Sequence, residues 1–216
     1  MVTVGDHDFP TPAETVDACI EALHAGYHNY SELSGKMALR EAMAVVSAEM
    51  TGQPTTASEV LATVGGQGAL FAAVFASCNP GDHAIVAGPY YATYPGTFRA
   101  VGVDYTVVDA AADSGFQPDA ALLEAAVTDR TRAILINSPN NPTGAIYSQR
   151  TLEGIADLCR RRDLWLISDE VYWTHTDGRP HLSPRSLDGM AERTLVVNSL
   201  SKSHGMTGWR VGWLTG

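Results

Sequence analysis

Two rhythms of apolar and polar positions run along this chain. In "TPAETVDACIEALHAG" the apolar residues Val16, Cys19, Ile20 and Leu23 recur every three or four positions, which predicts one face of a helix. Thr11 and Glu14 have the spacing of a capping box, Pro12 suits a first helical position, and Gly26 is a stop. A second helix is expected from Lys36 to Met50, ending at Gly52. Beyond it the rhythm changes to short, nearly unbroken apolar runs. "VLATV", "AIVAG", "VDYTVVD", "AILIN", "LWLIS", "TLVVN" and "VGWL" all predict strands, with helical patterns between several of them, notably over residues 118–127 and 148–162. Strands that are apolar on both sides belong in a sheet covered on both faces. The expected fold is therefore α/β: a three-layer α/β/α sandwich around a mostly parallel mixed sheet, with residues 1–216 as one domain.

In such sheets ligands collect beyond the carboxyl ends of the strands. "AILIN" runs into "SPNNPTG", "LWLIS" into "DEVY", and "TLVVN" into "SLSKSHGMTGWR". Asn141, Asp169 with Tyr172, and Lys202 should thus meet on one rim.

Composition narrows the possible partners. A formal charge of −10 argues against nucleic acid, whose phosphates demand clustered cations. The run Arg160, Arg161, Arg162 reads instead as a last helical turn favoured by the helix dipole. No apolar run approaches the roughly 20 residues of a membrane helix, and "MVTVGDHDFPTP" lacks a signal-peptide pattern. Cys19, Cys78 and Cys159 are too scattered for a disulfide framework or a zinc knuckle, which makes the cytoplasm the default compartment and leaves no metal site expected.

"VLATVGGQGALFAA" is a strand, a glycine turn and a helix, and the free amides at such a helix start favour an anion. A dinucleotide fingerprint would need a small sixth residue, but that position is Phe71; no P-loop lysine follows either. A tight connection without any ligand is the plain alternative. Read singly, the other candidates also have plain explanations: Asp169 as a helix cap, Asn141 as a turn residue, Tyr91 and Tyr172 as core or rim aromatics, Lys202 as a solvated loop residue. Jointly they answer the needs of one cofactor, pyridoxal 5'-phosphate. It requires an amine for its aldehyde (Lys202) and a carboxylate to keep its pyridine nitrogen protonated (Asp169). Donors should face its phenolic oxygen (Asn141, Tyr172), and an aromatic should stack on its ring (Tyr91). Its phosphate carries about −1.5 to −2 charges and wants amides, hydroxyls and an arginine; Gly66, Gln67, Ser199 and Arg210 are candidates.

These motifs, from "VGDHDFPTP" and "YHNYSELSGKMALREA" through "GGQGALF", "PYYATYP", "NSPNNPTG" and "SDEVY" to "SLSKSHGMTGWRVGW", resemble the large domain of class I/II aminotransferases, the fold-type I pyridoxal-phosphate enzymes. The subgroup looks like the aspartate-type and arginine–pyruvate branch. The resemblance implies an enzyme that transfers an amino group between an amino acid and a 2-oxo acid through a Lys202 Schiff base, with Asp169 as pyridinium partner. It implies that Asn141 and Tyr172 contact the phenolic oxygen, that Tyr91 stacks on the ring, and that Ser199, Arg210 and the amides of Gly65, Gly66 and Gln67 hold the phosphate. Asn141 and Gly5 would also meet the substrate, Gly5 at its carboxylate. Tyr30 matches a tyrosine that reaches the phosphate of a neighbouring subunit, implying a homodimer with shared sites. Against the family pattern an N-terminal segment and a C-terminal small domain are expected to be missing, so that the chain acts as a fragment with impaired activity. A lyase or decarboxylase on the same cofactor, or a silent remnant serving as a dimerising partner, would share the same residues.

Overall fold

The computed structural model describes residues 5–216; Val4, the first residue of the "VGDHDFPTP" motif, lies outside them. Two helices come first, α1 (Ala13–His24) and α2 (Met37–Thr51). Strands and helices then alternate: β1 (Val60–Val64), α3 (Gly65–Ser77), β2 (His83–Gly88), α4 (Tyr94–Val101), β3 (Asp104–Asp109), α5 (Ala120–Ala125), β4 (Thr131–Asn137) and α6 (Gln149–Arg162). β5 (Trp165–Asp169), β6 (Thr194–Ser199), the single turn α7 (Leu200–Ser203) and β7 (Val211–Thr215) follow. All seven expected strands join one sheet in the order β1-β7-β6-β5-β4-β2-β3. β7 pairs antiparallel with both its neighbours and every other pairing is parallel.

The apolar runs are continuous because both faces of the sheet are covered. In β4, Ala133 and Leu135 face a cluster with Leu70 and Val74 of α3 and Phe98 of α4. Ile134 and Ile136 face the opposite cluster, with Leu123 of α5 and Leu152, Ile155 and Leu158 of α6. This is the α/β/α sandwich. α6 illustrates how local and global signals agree. Ser148 caps it by accepting the Thr151 N–H, its apolar stripe is buried on the sheet, and Arg160, Arg161 and Arg162 close its last turn.

α1 departs from expectation. The Thr11–Glu14 capping box does not form, and Pro12 is the N-cap residue instead. Thr11 is taken by tertiary contacts: its hydroxyl donates to the Gly205 carbonyl and accepts from Trp209 Nε1 at 2.9 Å. None of the α1 residues is buried, and Val16, Ile20 and Leu23 all lie exposed. The predicted stripe exists but is left uncovered by the described residues.

Candidate active site

Four connections deliver side chains to one side of the sheet. β5 ends at Asp169, its carboxylate buried in the floor of a cleft of about 680 Å³. β4 ends at Asn137, whose Nδ2 donates to the Asp169 carbonyl at 2.9 Å and whose Oδ1 accepts the Asn141 N–H at 2.7 Å. Asn137 thereby fixes the loop after β4 against the end of β5. Asn141 in turn donates from Nδ2 to the Tyr172 hydroxyl at 3.0 Å, which brings the expected pair together. Beyond β6, Ser199 caps α7 by accepting the Ser201 N–H at 3.0 Å, and α7 carries Lys202 into the cleft, where Nζ donates to the Gly5 carbonyl. Tyr91 stands half-exposed at the mouth, edge-on to Tyr94.

The anion end of the cleft depends on close backbone packing. α3 begins at Gly65, in the left-handed region with φ of 70°, and a Cβ there would overlap the Arg210 guanidinium. A Cβ on Gly212 of β7 would likewise overlap the Gly65–Gly66 backbone. Small residues on both sides let the first-turn amides of α3 lie beside β7 and Arg210. Arg210 is itself a non-glycine residue at φ of 55°, a costly conformation of the kind that concentrates at functional sites. Its Nη1 donates to the Thr207 carbonyl at 2.7 Å. The positive ends of a 13-residue helix and a guanidinium therefore share one corner with Ser199 and Ser201.

Ten of the expected residues, Gly5, Gly66, Gln67, Tyr91, Asn141, Asp169, Tyr172, Ser199, Lys202 and Arg210, line this one cleft, and Gly65 abuts it through Arg210. Tyr30 does not: it is 106 % exposed and stands outside the cleft. The Gln67 side chain is also engaged elsewhere, accepting from Thr93 and donating to Thr97, each at 2.6 Å.

The model of the family described as aminotransferase class I and II matches residues 2–216. The chain belongs to that family. It is 47 % identical over 216 residues to an arginine–pyruvate transaminase of Pseudomonas aeruginosa, covering 100 % of this chain and 55 % of that protein. It is 40 % identical over 215 residues to an aspartate/prephenate aminotransferase of Thermus thermophilus, with the same coverage of 100 % and 55 %. The solved aspartate aminotransferase of Thermus thermophilus with maleate superposes with a TM-score of 0.95 at 40 % identity, over 100 % of this chain and 56 % of that one. The chain thus spans about half the length of the curated relatives it matches.

Burial and hydrogen bonding shift several titratable groups of this cleft. Burial raises the Asp169 carboxyl to about 6, against the pull of the Tyr94 hydroxyl and the Val171 N–H that it accepts. Burial also raises Tyr172, with the Asn141 hydrogen bond opposing it. At the rim the Thr207 hydroxyl, first, and the His7 N–H hold exposed Asp6 below its usual range. Among the residues of the cleft that escaped the sequence reading are Asn137, Tyr94 and Ser201. Asn137 was a strand's last residue and Ser201 one serine among several. Tyr94 was visible only as a third aromatic in "PYYATYP".

Proposed function

We propose that this chain is the cofactor-binding large domain of an aminotransferase, residues 1–216, that holds pyridoxal 5'-phosphate and serves amino-group transfer between an amino acid and a 2-oxo acid. One observation carries this reading. Asp169 is a buried carboxylate with no cationic side chain against it among the described residues, and it forms the floor of a cleft whose one lysine is Lys202. Such a burial is costly unless a positive group arrives from outside. A protonated pyridine nitrogen is such a group, and the corner built by Arg210 and the α3 amides suits a phosphate. The residues therefore fit the cofactor.

When bound, pyridoxal phosphate supplies an aldehyde that captures amines and a ring that takes up electrons. The chain's residues supply the rest. Asp169 would keep the ring nitrogen protonated, and Asn141 and Tyr172 would donate toward the phenolic oxygen. Tyr91 would stack on the ring, and Ser199, Arg210 and the N–H groups of Gly65, Gly66 and Gln67 would hold the phosphate. Lys202 Nζ would be the amine that holds the aldehyde and the base that holds the substrate's α-proton. Gly5, with Asn141, faces the substrate carboxylate. The names of the relatives support transamination over lyase chemistry.

Tyr30, exposed beside the equally exposed Leu33, belongs to the site of a second copy in a homodimer, and the bare apolar stripe of α1 is where such a copy finds contact area. Three free cysteines agree with a reducing cytoplasm. No described helix is long and apolar enough to cross a membrane.

The test is covalent. The protein, incubated with pyridoxal phosphate and reduced with borohydride, should carry the label on the Lys202 peptide, and Lys202→Ala should lose both the label and turnover, by about 10³-fold or more. A label on another lysine, or turnover that survives the substitution, would falsify the assignment. Product formation that needs no 2-oxo acid would move the reading to a lyase.

A further inference from the structure

Tyr94 is placed with unusual care for a residue that no part of the proposed chemistry requires. It opens α4, just after Thr93, and Gln67 grips this turn from α3 by accepting from Thr93 and donating to Thr97. Tyr90 stacks on its ring at a centroid distance of 6.4 Å and Tyr91 meets it edge-on at 6.0 Å. Buried to 1 % exposure, the ring has little freedom, and its hydroxyl donates to Asp169 Oδ2 at 2.6 Å. The other carboxylate oxygen accepts the Val171 N–H at 3.2 Å.

We infer that Tyr94 is a positioning residue for Asp169, a neutral donor that holds the carboxylate ionised and aimed into the cleft before any cation arrives. The inference rests on the proposed role of Asp169 toward the cofactor ring. Apart from the Val171 N–H, the other groups around the carboxylate work against its charge or leave it unbalanced. Glu170 follows it in the chain and repels it, Tyr172 lies near it on the loop after β5, and Tyr147, from the segment before α6, approaches the Tyr94 phenol. Lys202, Arg210 and Asp6 line the same cleft without pairing with it. Burial and the neighbouring carboxylate also push the Tyr94 phenol well above its usual range, so it stays protonated and remains a donor wherever Asp169 is charged. A charged partner would do this job more strongly, but it would already neutralise the carboxylate and compete with an incoming ring nitrogen. A phenol stabilises the charge and leaves it unspent.

Carbon-13 NMR of aspartate-labelled protein, with Asp169→Asn to assign the signal, reads the Asp169 titration directly in the absence of cofactor. In Tyr94→Phe, which keeps the ring and its packing, the midpoint should rise by about one to two pH units, as loss of a hydrogen bond to a charged group implies. Site-specific 3-fluorotyrosine at position 94, a stronger donor of nearly the same shape, should lower it, and decides the matter if the phenylalanine variant does not fold. An unmoved midpoint in both folded variants overturns the inference. Pyridoxal phosphate titrations separate this from the functional reading: in Tyr94→Phe the dissociation constant at neutral pH should rise about tenfold. Wild-type protein that shows the titration shift but takes up no pyridoxal phosphate sinks the proposed function and leaves Tyr94's hold on Asp169 intact. Unchanged titration with normal cofactor uptake does the reverse.

Discussion

α6 and α1 carry the same kind of message in sequence and meet opposite ends. Both space apolar residues for one helical face. In α6 that face is buried, with Leu152, Ile155, Ala156, Leu158 and Cys159 against the sheet. In α1 no residue is buried, and Ile20, at the centre of the stripe, is 47 % exposed. The difference lies in what flanks each helix. β4 and β5 on either side of α6 are neighbours in the sheet, so the connection lays the helix across them. α1 precedes every strand and is tied down at its N-terminal end by Thr11, which bonds to Gly205 and Trp209. An amphipathic pattern states that a face is to be covered; it does not state by what.

Three substitutions would break or sharpen this contrast. The largest effect is expected at Leu158→Ala, where a fully buried side chain leaves a cavity under the sheet and should cost about 2–5 kcal/mol in denaturant unfolding. A loss below about 1 kcal/mol would mean that α6 is not part of the cooperative core.

Next comes the site itself, where burial acts with the opposite sign. In the folded protein Asp169 titrates near 6, above its ordinary 3.8. Between these values the folded state binds more protons than the unfolded one, so stability falls as pH rises through the window and levels off above it. Asp169→Asn should therefore stabilise the ligand-free protein at pH 8 by up to about 3 kcal/mol, with the gain fading as pH falls from about 6 toward 4. A gain that does not depend on pH would refute the explanation by charge burial.

Smallest is Ile20→Ala on α1, expected to change monomer stability by no more than about 0.5 kcal/mol. The same substitution should weaken self-association in sedimentation experiments if a second copy covers this stripe. An Ile20→Ala protein whose unfolding suffers as badly as Leu158→Ala at high dilution would show that α1 is already covered within the chain.

Much of the sheet was legible because its signal is local. Each strand is a short apolar run ended by Gly, Asn, Asp or Ser, and a run buried on both faces needs no knowledge of which helix covers which face. The rim was legible for the same reason: Asn141, Asp169 and Lys202 each follow a strand, and parallel strands put their ends on one side. Helix caps were read less well. Thr11 had the right spacing for a capping box, but Gly205 and Trp209, nearly 200 positions away, offered its hydroxyl better partners. Asn137, Tyr94 and the side-chain clamp of Gln67 escaped for a related reason. What each does depends on a hydrogen bond to a residue between 26 and 75 positions distant, to Asp169 for the first two and to Thr93 and Thr97 for Gln67.

By itself the sequence determined the seven strands, the α/β layering, the family, and which chemical groups stand at the strand ends, because periodicity and order along the chain are enough for these. Only the tertiary structure decided that β7 runs against its neighbours, that Gly65 and Gly212 yield their side chains to Arg210 and a crossing backbone, and that a buried phenol meets the carboxylate of Asp169. Those outcomes are set by close approach between segments far apart in sequence, and packing distances are fixed only when the whole sheet has closed.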